Sequence, residues 1–464
     1  MRKILWFALA AGAGLIVVVA QGPDLRIKLE GGVRPAIAIP DFRGSGAAQP
    51  LMSTFNDTLW GDIDGAGFFK MVPKTSYPAT IPQQPSDFRE PPAATALPRA
   101  RKRDEAVIPP TGGGTFMTDW SGPPPSANYL TLGYTAVQND VLVLYGWLID
   151  LSRGTPANSQ VLAKRYLGTV DAAGSRKIAH EFAADILAAF GQTSTFGTKI
   201  VFTSNRTGNK EIWLMDADGT NQRQVTSYRS ISTEPTLSPD SSRIAFVSWS
   251  RGNPGIFIFS VDPIRQLVFL NQVASVNATP EFTPDGKQII YASSAGGNCC
   301  RIFIANLDGS GFRPISSSSA IEVEPKINPK TGNEIAFVSG RSGPQQIYRM
   351  NMDGADVERL TPGEGEASNP SWNSDGQHLA FSWTQGYATG NFNIFVMDVA
   401  TRSYDQLTHG EGRNENPSWA PDGRHIVFMS TRTGSPQIWS MLANGSQLKQ
   451  LTTQGSNWSP HWGK

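Results

Sequence analysis

Cysteine is nearly absent from this chain: two residues, Cys299 and Cys300, in 464. Being adjacent, they cannot tie distant segments together, which excludes a disulfide framework. Two free thiols at a strand entrance are the expectation, because a bridge between neighbours is strained. Net charge is also small. Forty Lys and Arg against 39 Asp and Glu leave a formal +1, so no whole-chain field draws the protein to nucleic acid or to an acidic surface. Histidine is scarce and scattered, at His180, His378, His409, His425 and His461. No G-x-S-x-G elbow, H-E-x-x-H or C-x-x-C occurs, so neither a catalytic triad nor a zinc site is supported. Asp216-Ala-Asp218-Gly219-Thr220-Asn221 has Asn where a calcium loop needs Gly, and reads as a turn between strands. No cofactor or metal is expected.

Apolar runs long enough to matter are confined to residues 1–20, where Arg2 and Lys3 precede a hydrophobic stretch ending Val18-Val19-Ala20. That is the pattern of a cleaved secretory signal, with Gly12 and Gly14 interrupting what would otherwise be a membrane span. The mature chain is expected to start near Gln21 or Gly22, with no direct membrane insertion, in an exported compartment. Its first residues, Asp24, Leu25, Arg26, Ile27, Lys28, Leu29 and Glu30, alternate apolar and charged side chains. This suits a strand offering one apolar face, either to the first domain or to a partner's sheet.

What the sequence does have is repetition. "TPEFTPDGKQIIYAS", "NPSWNSDGQHLAFSW" and "NPSWAPDGRHIVFMS" begin at residues 279, 369 and 416, and the Pro of this unit recurs at Pro235, Pro280, Pro325, Pro370, Pro417 and Pro460. The period suits a propeller blade of four short strands with Gly and Asx turns between them. β-prone runs starting at Ile200, Ile244, Ile289, Ile335, Leu379 and Ile426 mark six blades. The first lacks a Pro strand and the last Pro strand lacks its followers, so the C-terminal strand is expected to close the ring. The predicted fold is a six-bladed all-β propeller over 197–464, preceded by a small α/β domain over 21–190.

In that first domain, strands are expected at Arg34–Pro40, Tyr129–Val137, Val141–Leu151 and Val161–Leu167, and helices at Leu51–Ile63 and Ser175–Phe190. Residues 78–125 hold 11 of the 33 prolines and read as an excursion unable to pack a core. Within it, Arg99, Arg101, Lys102 and Arg103 read as a solvated cluster.

Strand alternation sorts the propeller loops onto two faces. Segments before each Pro strand share a face with the loops after each second strand, and the "PDG" turns take the other. The shared face collects Glu234, Asn277, Thr279, Glu322, Glu324, Glu366, Asn369, Glu415 and Asn416 near the axis, with Arg206, Arg251, Arg301, Arg341 and Arg432 outside them. The inner acids are expected to be solvated and to contact a partner, since like charges around one opening repel until a partner relieves them. The arginines either contact a partner or only hold their own loops.

A signal segment, an α/β domain ending in a helix, and units such as Glu234-Pro235-Thr-Leu-Ser-Pro-Asp240, Lys210-Glu-Ile-Trp-Leu-Met-Asp-Ala-Asp-Gly219 and Thr203-Ser-Asn-Arg206-Thr-Gly208 resemble the TolB family of the periplasmic Tol-Pal system. The resemblance spans the propeller and most of the first domain, although the Pro-rich excursion is longer than the family implies. It implies a non-catalytic, monomeric periplasmic adaptor whose propeller mouth receives the Pal lipoprotein and whose mature N-terminus is offered to TolA. The bare repeat is less specific: a propeller that gates a separate hydrolase or peptidase would use similar units.

Overall fold

In each repeat, runs of β-branched and aromatic residues alternate with Gly and Asx turns. In the computed structural model, which describes residues 34–89, 115–153, 155, 156, 158–269, 275–295, 297 and 299–464, each repeat forms a four-stranded antiparallel sheet. The second strand of a blade is covered on both faces by neighbouring blades, so it is apolar throughout rather than alternating. Glu334–Ser339 and His425–Ser430 show this, each buried from its second residue to its last. The inner strand of the first blade is Asn457–Gly463, which pairs antiparallel with Lys199–Ser204, Trp462 standing opposite Ile200 and Asn457 opposite Ser204. The ring is therefore closed by the C-terminus, and all six blades have four strands.

The α/β region carries a sheet in the order Lys70–Met71, Ala36–Ala38, Tyr129–Gln138, Val141–Asp150, Gln160–Gly168. Helices Met52–Gly65 and Ala172–Ala188 cover one face. Phe55, Leu59 and Ile63 of the first and Ile178, Phe182 and Ile186 of the second repeat at helical spacing and are all fully buried. The second helix is capped by Asp171, whose carboxylate accepts from Gly174 N–H at 2.7 Å.

Two sequence expectations need correction. The Pro-rich stretch does pack at both its ends. Phe88, Met117 and Trp120 are buried against Leu130, Leu132 and Ile149 on the second face of the sheet, and Arg89 N–H donates to Thr115 O at 3.0 Å. Proline density there reports a constrained backbone, while the buried aromatics supply the core. Cys299 and Cys300 are joined in a vicinal disulfide rather than free. The signal segment, the strand-like segment 24–30 and the basic cluster at 99–103 lie outside the described residues.

The α/β region docks on the turn face of the propeller. Two backbone carbonyls at the C-terminal end of helix Met52–Gly65 receive propeller side chains: His425 Nε2 lies 2.8 Å from Gly65 O, and Gln447 Nε2 donates to Asp64 O at 2.7 Å. Arg424 Nη2 donates to Thr193 O at 3.1 Å. The "PDG" turn face is thus covered over the blade that carries both Asp422 and Gln447, and among the described residues the opposite face is left open.

Candidate functional site

Six residues at one place in the repeat have left-handed backbone: Glu234, Thr279, Glu324, Asn369, Asn416 and Ser459, with φ between 47° and 55°. Each lies where the inner strand slips register against its neighbour. Such a conformation costs about 1–3 kcal/mol for a non-glycine residue and persists only where the surroundings hold it. Here a relay of hydrogen bonds holds five of them. Thr279 N–H donates to Glu234 Oε2 at 2.8 Å, and Glu324 N–H to Thr279 Oγ1 at 3.1 Å. Asn369 N–H donates to Glu324 Oε2 at 2.5 Å, and Asn416 N–H to Asn369 Oδ1 at 3.3 Å. The bulges turn these side chains into a central cavity of about 300 Å³.

Two residues further along each inner strand lies a second tier. Lys326 pairs with Glu281, and Thr236 Oγ1 donates to Glu281 Oε2 at 3.1 Å. His461 Nδ1 accepts Leu237 N–H at 3.2 Å, which requires that nitrogen to be unprotonated, and burial pulls the imidazole down to about 4. The next position on the last three inner strands is Trp372, Trp419 and Trp462, all nearly buried, which gives the cavity an aromatic end.

The acids of the upper tier are displaced from their ordinary range. Burial raises Glu234. Burial also pushes Glu324 up to about 7; the charges of Glu234 and Glu415 add to this, while the Asn369 amide and Lys326 oppose it. A carboxyl whose folded value lies above its unfolded value of 4.5 contributes stability below pH 4.5 that is lost as pH rises through about 7. His461 acts oppositely: its stability is full above 6.5 and is lost as pH falls through about 4. We therefore expect Glu324→Gln to flatten the decline in stability between pH 5 and 8, removing about 1–3 kcal/mol of pH-dependent change. Urea midpoints at both pH values test this; an undiminished decline in the variant would assign the effect elsewhere.

The predicted mouth residues divide into two groups. Glu234, Thr279, Glu324, Asn369 and Asn416 line the cavity. Glu366 and Glu415 stand half-buried at its rim, Glu415 paired with Arg413 at 2.5 Å. Asn277 and Glu322 do not face the opening: they are 1% and 0% exposed. They begin the inner strand two residues before the bulge, whose left-handed backbone turns Thr279 and Glu324 into the lumen while Asn277 and Glu322 stay in the blade. Asn277 Oδ1 accepts from Ser293 Oγ at 2.7 Å, and Glu322 pairs with Arg341. The expectation that Glu322 is a solvated partner contact is therefore overturned.

The arginines follow the same logic. Arg206 donates from Nε to Ser204 Oγ at 2.9 Å and from Nη2 to Asn457 Oδ1 at 3.1 Å, its guanidinium 4.4 Å from the Trp213 ring centre. Arg432 repeats this with Ser430, Asn414 and Trp439, and Arg341 with Ser339, Glu322 and Tyr348. Arg251 lies over Phe257, and Arg301 Nε donates to Ser318 O at 3.1 Å. Three of the five are thus pins that tie a loop to the inner strand, the second of the two readings left open by the sequence.

Sequence reasoning missed an apolar arc. Three positions before each bulge residue stand Ile231, Val276, Ile321, Glu366, Arg413 and Ser456. On three consecutive blades these are β-branched and apolar; Ile231 is 48% and Ile321 55% exposed, with Val276 half-buried between them. Aligning the repeats column by column would have exposed it, because this column changes from apolar to charged partway round the ring. The open face therefore has a polar lumen and a rim that is apolar on one side and charged on the other.

Comparison with known proteins agrees with this architecture. The family model described as the TolB beta propeller domain matches residues 188–388 and 362–464. A protein TolB homolog of Chlorobium luteolum is 36% identical over 304 residues, covering 65% of this chain and 68% of that one. A second, of Chlorobium chlorochromatii, is 32% identical over 217 residues, 46% of each. The crystal structure of TolB from Acinetobacter baumannii superposes with a TM-score of 0.71 over 93% of this chain and 97% of that one, at 22% identity, and so shares the fold.

Proposed function

The chain belongs to the TolB family, and from that premise we propose that it is a non-catalytic periplasmic adaptor of the Tol-Pal system. In this reading the open propeller face receives a Pal-type lipoprotein and the segment Asp24 to Glu30 is received by TolA, serving outer-membrane integrity and constriction at division. The observation that carries the reading is the asymmetry of the two faces. The α/β region occupies the turn face, while the opposite face presents a polar lumen bordered by the exposed Ile231 and Ile321. Clustered exposed β-branched residues beside a strained, hydrogen-bonded ring suit a protein partner: the apolar side contributes affinity and the charged side orientation. Among the described residues no helix is long and apolar enough to cross a membrane.

Titration calorimetry with the soluble domain of a Pal-type lipoprotein tests this. Ile231→Asp combined with Ile321→Asp should weaken binding at least ~30-fold, at about 1 kcal/mol or more per buried anchor, with the melting temperature unchanged. Lys287→Glu, an exposed change on the turn face, should leave affinity as it was. If the Lys287 variant loses binding and the isoleucine pair does not, the partner sits on the turn face.

A further inference from the structure

Where helix Ala172–Ala188 meets the propeller turns, the two regions enclose a cavity of about 440 Å³. Its carboxylates are all matched. Asp62 faces His180 Nδ1 at 2.5 Å, and Asp216 pairs with Lys199 and accepts from Asn221 Nδ2 at 2.6 Å. Asp218 accepts from Thr220 N–H at 2.9 Å and from its hydroxyl at 2.6 Å. Asp422 faces His425 Nδ1 at 2.6 Å and accepts the amides of Arg424 and His425 at 2.9 and 3.0 Å.

Two of its cations are matched as well, Lys199 by Asp216 and Lys177 by Glu181, but three are not. Arg176, half-buried near the start of the helix, has no hydrogen bond or ion pair among the described residues. Arg424 is 8% exposed; beyond its bond to Thr193 O, its Nε and Nη1 have no hydrogen-bond partner among the described residues. Its carboxylate neighbour, Asp422, is 3.7 Å away and already engaged by His425. Lys449 Nζ reaches only the backbone carbonyl of Asp218, at 3.2 Å. Arg176 of the α/β region and Arg424 and Lys449 of the propeller are therefore left without a carboxylate hydrogen bond among the described residues.

We propose that this interdomain cavity is a binding site for a small organic anion bearing a carboxylate or phosphate, held between Arg176 of the α/β region and Arg424 of the propeller. A guanidinium presents its N–H groups as a planar fork that matches two oxyanion oxygens, and a buried fork left without acceptors is costly. Burial already disfavours the charged form of Arg424, a cost that a bound anion removes. Because its two anchors come from different regions, an occupant favours their docked arrangement over a separated one, through mass action on that state alone.

The test uses the full mature chain with citrate and inorganic phosphate as probes, and sodium chloride at matched ionic strength as the control. Calorimetry should show saturable one-to-one binding of at least one probe, and that probe should raise the melting temperature above the chloride control. Arg176→Gln should weaken binding at least tenfold with the unliganded melting temperature unchanged, since Arg176 has no partner to lose. Arg424→Gln should also weaken binding at least tenfold, with some loss of stability because its bond to Thr193 O goes too; if it fails to fold, the Arg176 variant decides. Absence of saturable binding by both probes, or undiminished affinity in Arg176→Gln, overturns the site.

Discussion

A chain ending at Gly455 should lose the cooperative unfolding transition of the whole propeller, rather than fray at one end. The missing strand is the innermost of the first blade, and it joins that blade to both of its neighbours. Trp462 Nε1 donates to Thr198 Oγ1 at 2.8 Å, and Trp462 N–H to Ser418 Oγ of the preceding blade at 3.0 Å. His461 accepts Leu237 N–H of the next blade. Asn457 Nδ2 donates to Gln437 Oε1 at 2.8 Å, while its Oδ1 holds Arg206. Removal also opens a sheet edge along Lys199–Ser204, which is then free to pair with another chain. A domain of this kind is stable by only about 5–15 kcal/mol, so losing a whole inner strand with these contacts removes a large share of it. Trp462→Ala is the milder form. At 5% exposure the indole should cost about 3–5 kcal/mol, read as a fall in the urea midpoint with the slope retained. A truncated chain that melts at the full-length temperature would show that the ring does not depend on its C-terminal strand.

The second large effect is expected at Glu322. Glu322→Lys should destabilise the propeller by about 3–5 kcal/mol, because it removes the carboxylate from a buried pair and places a second cation beside Arg341. Arg341 cannot turn away freely, since Ser339 and the Tyr348 ring hold it. The repeat itself suggests the repair. In the two blades where Arg206 and Arg432 occupy this role, the acceptor is the side-chain oxygen of Asn457 or Asn414. Glu322→Asn should therefore retain most of the stability that Glu322→Lys loses, and it also removes the unpaired buried Oε2. Thermal denaturation of the three proteins separates the cases. Equal melting temperatures for wild type and Glu322→Lys would return Glu322 to the solvated mouth.

Strand alternation assigned the loops to two faces because a strand reverses the chain at each turn, and the α/β region docks on the face so assigned to the "PDG" turns. Alternation alone did not decide which way a side chain points at the start of an inner strand. Glu322 and Glu324 stand two apart, which in an unbroken strand puts them on the same side. The left-handed backbone at Glu324 breaks that rule, turning one carboxylate into the lumen while the other stays in the blade. Nothing in Glu-Val-Glu-Pro announces the bulge; it emerges only when six such strands crowd one axis and the side chains of Glu234, Thr279, Glu324 and Asn369 each cap the next strand's amide.

Blade number, ring closure, and the two long helices and four of the six strands of the first region were determined by the sequence itself, since turn chemistry and apolar periodicity act over a few residues and the repeat multiplies the signal sixfold. Tertiary structure alone decided the division between pins and lumen residues, the apolar arc of Ile231, Val276 and Ile321, and the unmatched Arg176 and Arg424 between the two regions. Each of these depends on which side chains from distant parts of the chain share one low-dielectric space. Burial and pairing are properties of that shared space, and residues such as Arg424 and Thr193, 231 positions apart, meet only there.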